Sequence, residues 1–154
     1  MNAYFFDSSA LIKRYARETG TAWVLSLCGR SAGNAIFLAR VTPVEAAAGL
    51  AKQQLTGFLT EPELDKSISR LMRGIDERFA FIEISRRLVS FAVPLVRRYG
   101  LRGFDAIQLA AALDISYQRT SVGLDKVIFV SADNKLNNAA LSEDLRVENP
   151  NDHS

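Results

Sequence analysis

Ala3-Tyr4-Phe5-Phe6-Asp7-Ser8-Ser9-Ala10-Leu11-Ile12 sets a short apolar, β-prone run against an aspartate and then a helical pattern. A run this short, without polar alternation, reads as a strand covered on both faces, and Asp7 stands where it gives way to the next element. The same arrangement recurs along the chain. Ile36 to Val41 is followed by Glu45, and Val127 to Val130 by Ser131 and Asp133. Apolar runs at Phe79 to Ile84 and near Leu145 to Val147 bring the expected strands to about five. Helical patterns fill the intervals, so the chain reads as α/β, with a central, mostly parallel sheet whose crossovers cover both faces.

Several boundaries are marked chemically. Thr42-Pro43-Val44-Glu45 and Thr60-Glu61-Pro62-Glu63 both have the spacing of a capping box, and Gly57 and Gly100 are placed as helix stops. Leu64, Ile68, Leu71 and Ile75 recur at threes and fours, predicting one amphipathic helix over Glu61 to Arg78. Pro94 predicts a kink within Leu88 to Tyr99 or a later helix start, and Asp114 to Lys126 reads as a helix end followed by a surface loop. Residues 1–150 are expected to form one domain and 151–154 a frayed tail.

Composition removes whole classes of chemistry. The only cysteine, Cys28, lies in an apolar helical stretch and reads as packing surface, while the only histidine, His153, sits beside the end of the sequence. Zinc cages, Cys-His nucleophiles, Ser-His-Asp triads and two-histidine RNA transesterification therefore lack their parts. No segment approaches the ~18 uninterrupted apolar residues of a membrane span, and Met1-Asn2-Ala3 leads into a strand rather than a signal peptide. The expected location is cytoplasmic, with no membrane partner.

Chemistry is left to carboxylates: Asp7, Glu45, Asp105 and Asp133. Each has a local alternative. Asp7 fits a helix cap, Glu45 the return arm of the Thr42 box, Asp105 a first helical turn, and Asp133 an Asx-turn. Together they read differently, because carboxylates at the edge of a core are costly to desolvate unless something positive meets them. In an open parallel sheet, ligands bind beyond the carboxyl ends of the strands, where Asp7 and Asp133 fall. Asp105 is the least obvious member, but it opens Ala106 to Leu113, a helix apolar nearly all round. Oxygen-only ligands favour Mg²⁺ or Mn²⁺, ions that support in-line displacement at a phosphodiester. Ser9 and Ser131 are placed to orient waters or carboxylates beside them. Formal charge is +2, and setting the four acids aside leaves +6, which suits a polyanionic substrate.

At these residues the sequence resembles a known family. Asp7-Ser8-Ser9-Ala10-Leu11-Ile12-Lys13, Thr42-Pro43-Val44-Glu45, Leu101 to Ala110 around Phe104-Asp105-Ala106, Phe129-Val130-Ser131-Ala132-Asp133 and Val147-Glu148-Asn149-Pro150 look like the PIN domain, in its VapC-type toxin branch. The resemblance implies a three-layer α/β/α fold and a Mg²⁺-dependent endoribonuclease, Mn²⁺ able to substitute, acting on RNA such as tRNA or rRNA. It also implies that Asp7, Glu45, Asp105 and Asp133 form the acidic, metal-binding site with Ser9 in support. Such proteins are homodimers held inactive by a small VapB-type antitoxin. Gln108 stands where many relatives carry histidine, and Thr120 to Asp125 looks like a variable loop.

Two other readings use the same residues. Acids at strand ends also build phosphoaspartate sites, although Ser9 occupies the place of a second phosphatase aspartate and Lys135 is only a loose match to a receiver-domain lysine. A non-catalytic binding module could keep the fold without the chemistry.

Overall fold

The computed structural model describes residues 1–153. Five strands, β1 (Ala3–Phe6), β2 (Ala35–Ala39), β3 (Ala80–Ile82), β4 (Ile128–Val130) and β5 (Arg146–Glu148), form one sheet in the order β3-β2-β1-β4-β5. Every pairing is parallel; Phe5 stands opposite Phe37 on one side and Phe129 on the other. Around the sheet run α1 (Ser8–Ile12), α2 (Thr21–Cys28), α3 (Thr42–Leu55), α4 (Glu61–Met72), α5 (Ile75–Arg78), α6 (Arg86–Tyr99), α7 (Gly103–Ser121) and α8 (Asn134–Ser142).

Alternation along the strands feeds two cores. Phe5 and Phe129 point into one with Leu88, Leu95, Leu109 and Leu136, from α6, α7 and α8; Tyr4, Phe6, Ile128 and Val130 point into the other with Leu11, Val24, Leu50 and Leu71, from α1 to α4. The result is three layers. Phe5 and Phe129 are fully buried and stack with ring centroids 5.8 Å apart and planes 7° from parallel. Each such side chain contributes about 1.5–3 kcal/mol by leaving water. Among the described residues no helix is long and apolar enough to cross a membrane.

Several local expectations are corrected. The segment from Glu61 to Arg78 is two helices, because Gly74 adopts φ 73°, a left-handed conformation that ends the first at Met72. Ile75 lies four residues after Leu71, so the apolar stripe continues across the break and periodicity alone does not detect it. Pro94 does not delay its helix. Ser85 caps α6 by accepting from Leu88 N, and Pro94 and Ser90, whose carbonyl loses its donor, both face solvent. Helix α7 continues to Ser121, leaving a shorter loop than the sequence predicts.

The tail is not frayed at residues 150–153. Pro150–Asp152 form a 3-10 turn, Asn151 Oδ1 accepts from the buried Lys13 Nζ at 2.8 Å, and His153 stacks on Trp23 at 4.0 Å while its Nε2 lies 2.9 Å from Glu148 Oε2. Gly20 makes this docking possible: its φ is 84°, and a Cβ there would lie 2.2 Å from the Pro150 carbonyl oxygen. Gly20→Ala is expected to cost about 2 kcal/mol or more, from left-handed strain and displacement of the tail. Thermal melting followed by the emission of Trp23 checks this, and an unchanged midpoint would show that the tail contributes nothing to stability.

Candidate active site

The carboxyl ends of β1 and β4 meet at the point where the chain leaves the sheet toward opposite layers, the position at which open parallel sheets bind ligands. Asp7 caps α1 from the end of β1. Its Oδ1 accepts from Ala10 N at 3.0 Å and Ser9 Oγ at 2.6 Å, and its Oδ2 accepts from Ser131 Oγ at 2.5 Å. Ser9 Oγ in turn accepts from Ala132 N, and Ser131 Oγ from Asp133 N. The two serines thus tie the ends of β1 and β4 together around one carboxylate.

Asp7 is nevertheless poorly compensated. Only 4% of it is exposed, and burial pushes its pKa from 3.8 up to about 6, against the lowering effect of the three hydrogen bonds and with a further push from the charge of Asp105. Asp133 caps α8, its Oδ1 accepting from Leu136 N at 3.1 Å. The helix cap expected at Asp7 is met, Asp133 caps a helix in place of the expected Asx-turn, and neither role supplies a positive charge.

Glu45 differs from expectation. The box with Thr42 does not form: Val41 is the residue before α3, and Thr42 is buried inside its first turn. Thr42 Oγ1 instead accepts from Gln108 Nε2 at 3.0 Å, and the same amide donates to Glu45 Oε1 at 2.8 Å. Free of the capping box, Glu45 is half-buried beside Gln108. Burial raises its pKa, the Gln108 bond lowers it, and Asp105 raises it again.

Asp105 lies in the first turn of α7, whose following residues Ala106, Gln108, Leu109 and Ala110 are buried as the sequence implies. Burial raises its pKa and so does Asp133, while Arg102 and Lys135 lower it. Asp105 thus senses Asp133 and is sensed by Asp7 and Glu45. In Asp7, Glu45 and Asp105 alike, burial is the larger cause and the neighbouring carboxylate the smaller one.

Among the described residues, none of the four acids enters a salt bridge. As posed, no three His, Cys, Asp or Glu side chains among these residues are grouped to hold one ion. Asp7, Glu45 and Asp133 are each turned to a hydrogen-bond donor of the protein. The donor set fits a hard divalent cation in its chemistry, since all the ligands are oxygens and the charges are unpaired.

Two further residues take part, Gln108, which the sequence marked only as a departure from the family, and Asn137, which it did not mark. Gln108 is almost fully buried and links Glu45 to Thr42, and Asn137 holds the Ser131 carbonyl through Nδ2 at 2.8 Å, with its Oδ1 buried without a partner. For Gln108 the signal was a lone amide in an apolar helix; for Asn137, on a mixed helix, no signal was present.

The parallel five-stranded sheet with helices on both faces is the PIN-like fold. No protein-family model matches the chain, and no curated protein matches it. Solved structures do. FitAcB from Neisseria gonorrhoeae aligns over 96% of this chain and 97% of its own, with TM-score 0.64 and 16% identity. VapBC2 from Rickettsia felis, bound to a DNA fragment from its promoter, aligns over 96% and 98%, with TM-score 0.61 and 14% identity. A toxin–antitoxin complex from Klebsiella pneumoniae aligns over 96% and 97%, with TM-score 0.61 and 21% identity. At these identities the likeness establishes the fold.

Proposed function

We propose that this protein is a Mg²⁺-dependent endoribonuclease, Mn²⁺ able to substitute, and the toxin of a VapC-type toxin–antitoxin pair working in the cytoplasm. The observation that carries the chemistry is a buried Asp7, fixed by Ser9 and Ser131 where β1 and β4 end, with Asp105 in electrostatic reach of it and of Glu45 and Asp133, and with no ion pair on any of the four among the described residues. Such a site is held against its own repulsion, and a bound cation would relieve it. The toxin role is supported by the sequence motifs and by the fold shared with a toxin–antitoxin complex. On the same grounds the protein pairs with a VapB-type antitoxin and forms a homodimer.

Asp7, Asp105 and Asp133 would hold the cation, with Glu45 acting through a water or on a second ion. When bound, the ion supplies positive charge to a phosphodiester and lowers the pKa of water. The chain's residues supply placement. Ser9 and Ser131 fix both oxygens of Asp7, and Gln108 fixes one oxygen of Glu45 while leaving Oε2 without a protein donor, placed to orient the attacking water or take its proton. Hydrolysis joins the water oxygen to phosphorus and breaks the bond to the 3′ oxygen, so the products carry 5′-phosphate and 3′-hydroxyl ends. Nothing favours phosphotransfer: Lys135 Nζ donates to the Gly100 carbonyl at 2.7 Å.

The test is cleavage of total RNA, tRNA and rRNA included, by purified protein with Mg²⁺ or Mn²⁺, with chelator and Asp7→Asn as controls. Cleavage that depends on metal and on Asp7 supports the reading. Cleavage by the variant at the wild-type rate, or undiminished cleavage in chelator, rejects it.

A further inference from the structure

Away from the acids, a recess of about 380 Å³ opens between α2, α4 and α5, lined by Arg14, Arg30, Arg73 and Arg78 with Glu77 as its only acid. Arg30 lies just before β2 and Arg78 just before β3, so the recess sits by the amino ends of these strands, whereas the acids lie beyond the carboxyl ends. The five residues of β2 alone separate the two by ~16 Å. We infer that this recess is a phosphate-binding site that holds the backbone of a polynucleotide at a distance from the bond being cut. The identity of the polyanion rests on the nuclease reading; the site itself does not.

Two independent features show that the cations are assembled rather than scattered. The first is their support. Arg14 lies over the rings of both Tyr15 and Phe79, at 5.8 and 5.7 Å, and Arg78 lies 6.0 Å from Phe79. Arg78 also donates through Nε to the Cys28 carbonyl at 2.5 Å, which fixes the plane of its guanidinium. Its Nη2 also donates to the Leu27 carbonyl at 3.4 Å, so the guanidinium is held in place, and planar groups fixed in this way suit phosphate oxygens. The second is their lack of partners. None of the four arginines enters a salt bridge among the described residues, although the chain pairs Arg40, Arg87 and Arg98 elsewhere.

Helix α4 extends the same pattern. Lys66 and Arg70 are one turn apart and Arg73 follows at the helix end, all exposed. Arg70 and Arg73 stand at the carboxyl end of the helix, where its dipole favours positive charge, and Arg70 donates to the Arg14 carbonyl, which ties the helix to the recess. They form a basic track along α4 ending at the recess, suited to the repeating charge of a nucleic-acid backbone rather than to one small anion.

The test reads binding without cleavage. A fluorescein-labelled 2′-O-methyl oligonucleotide, which the enzyme cannot cut, is titrated with protein in chelator and followed by anisotropy at several salt concentrations. Arg30→Gln with Arg73→Gln, both exposed positions, is expected to weaken binding at least ~5-fold at 0.1 M salt. It should also lower the slope of log K against log salt by about 1.4, at ~0.7 per phosphate contact on a single strand. Arg86→Gln with Arg97→Gln removes the same charge from α6 and is expected to change affinity less than ~2-fold. The inference is overturned if wild type does not bind, if the first pair binds as wild type, or if the two pairs lose equally. It is also overturned if polyglutamate of equal charge, or inorganic phosphate at equal phosphate concentration, displaces the oligonucleotide. Because no cleavage is read, loss of the nuclease reading leaves this result intact, and the reverse holds as well.

Discussion

Asparagine at Asp105 is expected to lower RNA cleavage at least ~100-fold while leaving the protein folded and, in chelator, slightly more stable than wild type. The two effects have one cause. Asp105 is a group whose charge adds to the burial that raises Asp7 and Glu45 and which itself feels Asp133, so its removal takes away a proposed ligand and one source of repulsion together. Even groups that act on a metal indirectly cost 10–100-fold when changed, and a direct ligand should cost at least the upper end of that range. The side chain makes no salt bridge, so asparagine leaves no buried cation unpaired. Cleavage rates at saturating Mn²⁺, read beside melting curves in chelator, check both halves. A variant that is inactive because it is less stable would mean that Asp105 serves the fold.

Much of this arrangement was readable from local chemistry. Apolar runs too short to be helices marked all five strands, and Asp7 and Asp133 fall just beyond the carboxyl ends of two of them. The Thr60 box and the left-handed stop at Gly100 formed where the residue types demanded them. What escaped was decided by tertiary partners. Thr42 has the sequence of a capping residue, yet burial against Gln108 claims its hydroxyl, and the same amide holds Glu45. Asp105 stands in an ordinary first turn, and only the packing of α7 brings it among the other three. The second half of α7 looked like a loop because its polar residues face water, while Ser116 turns inward and accepts from Val127 N. The basic recess draws on α2, the residues after α1 and the junction of α4 with α5, and no window of sequence contains them together.

The acids also make a prediction about stability, and its sign is opposite to the usual behaviour of surface carboxylates. Asp7 has an ordinary pKa of 3.8 when exposed and about 6 in the folded chain. Below pH 3.8 both states carry the proton and the group costs nothing. Between pH 3.8 and 6 the unfolded chain releases the proton while the folded chain keeps it, so stability falls as pH rises, and above pH 6 the whole penalty is present. A shift of this size corresponds to about 3 kcal/mol at pH 7, and the raised pKa values of Glu45 and Asp105 act in the same direction. Asp7→Asn isolates the term, since the variant should gain on wild type by up to about 3 kcal/mol between pH 4 and 7 in chelator, offset by a constant loss from the serine hydrogen bonds. Divalent metal should then reverse the order. Mn²⁺ at about 100 times its dissociation constant stabilises the state that binds it by about 2.7 kcal/mol, or roughly 5–10 °C in melting temperature for a chain of this size. Wild type should show that rise at pH 7.5, show little of it at pH 5 where Asp7 holds its proton, and lose it on Asp7→Asn. Equal stabilisation of wild type and variant would place the metal elsewhere. No stabilisation of either would remove the cation from this site, and the burial of Asp7 would then be met by its proton, with Arg102 and Lys135 the positive charges acting on Asp105.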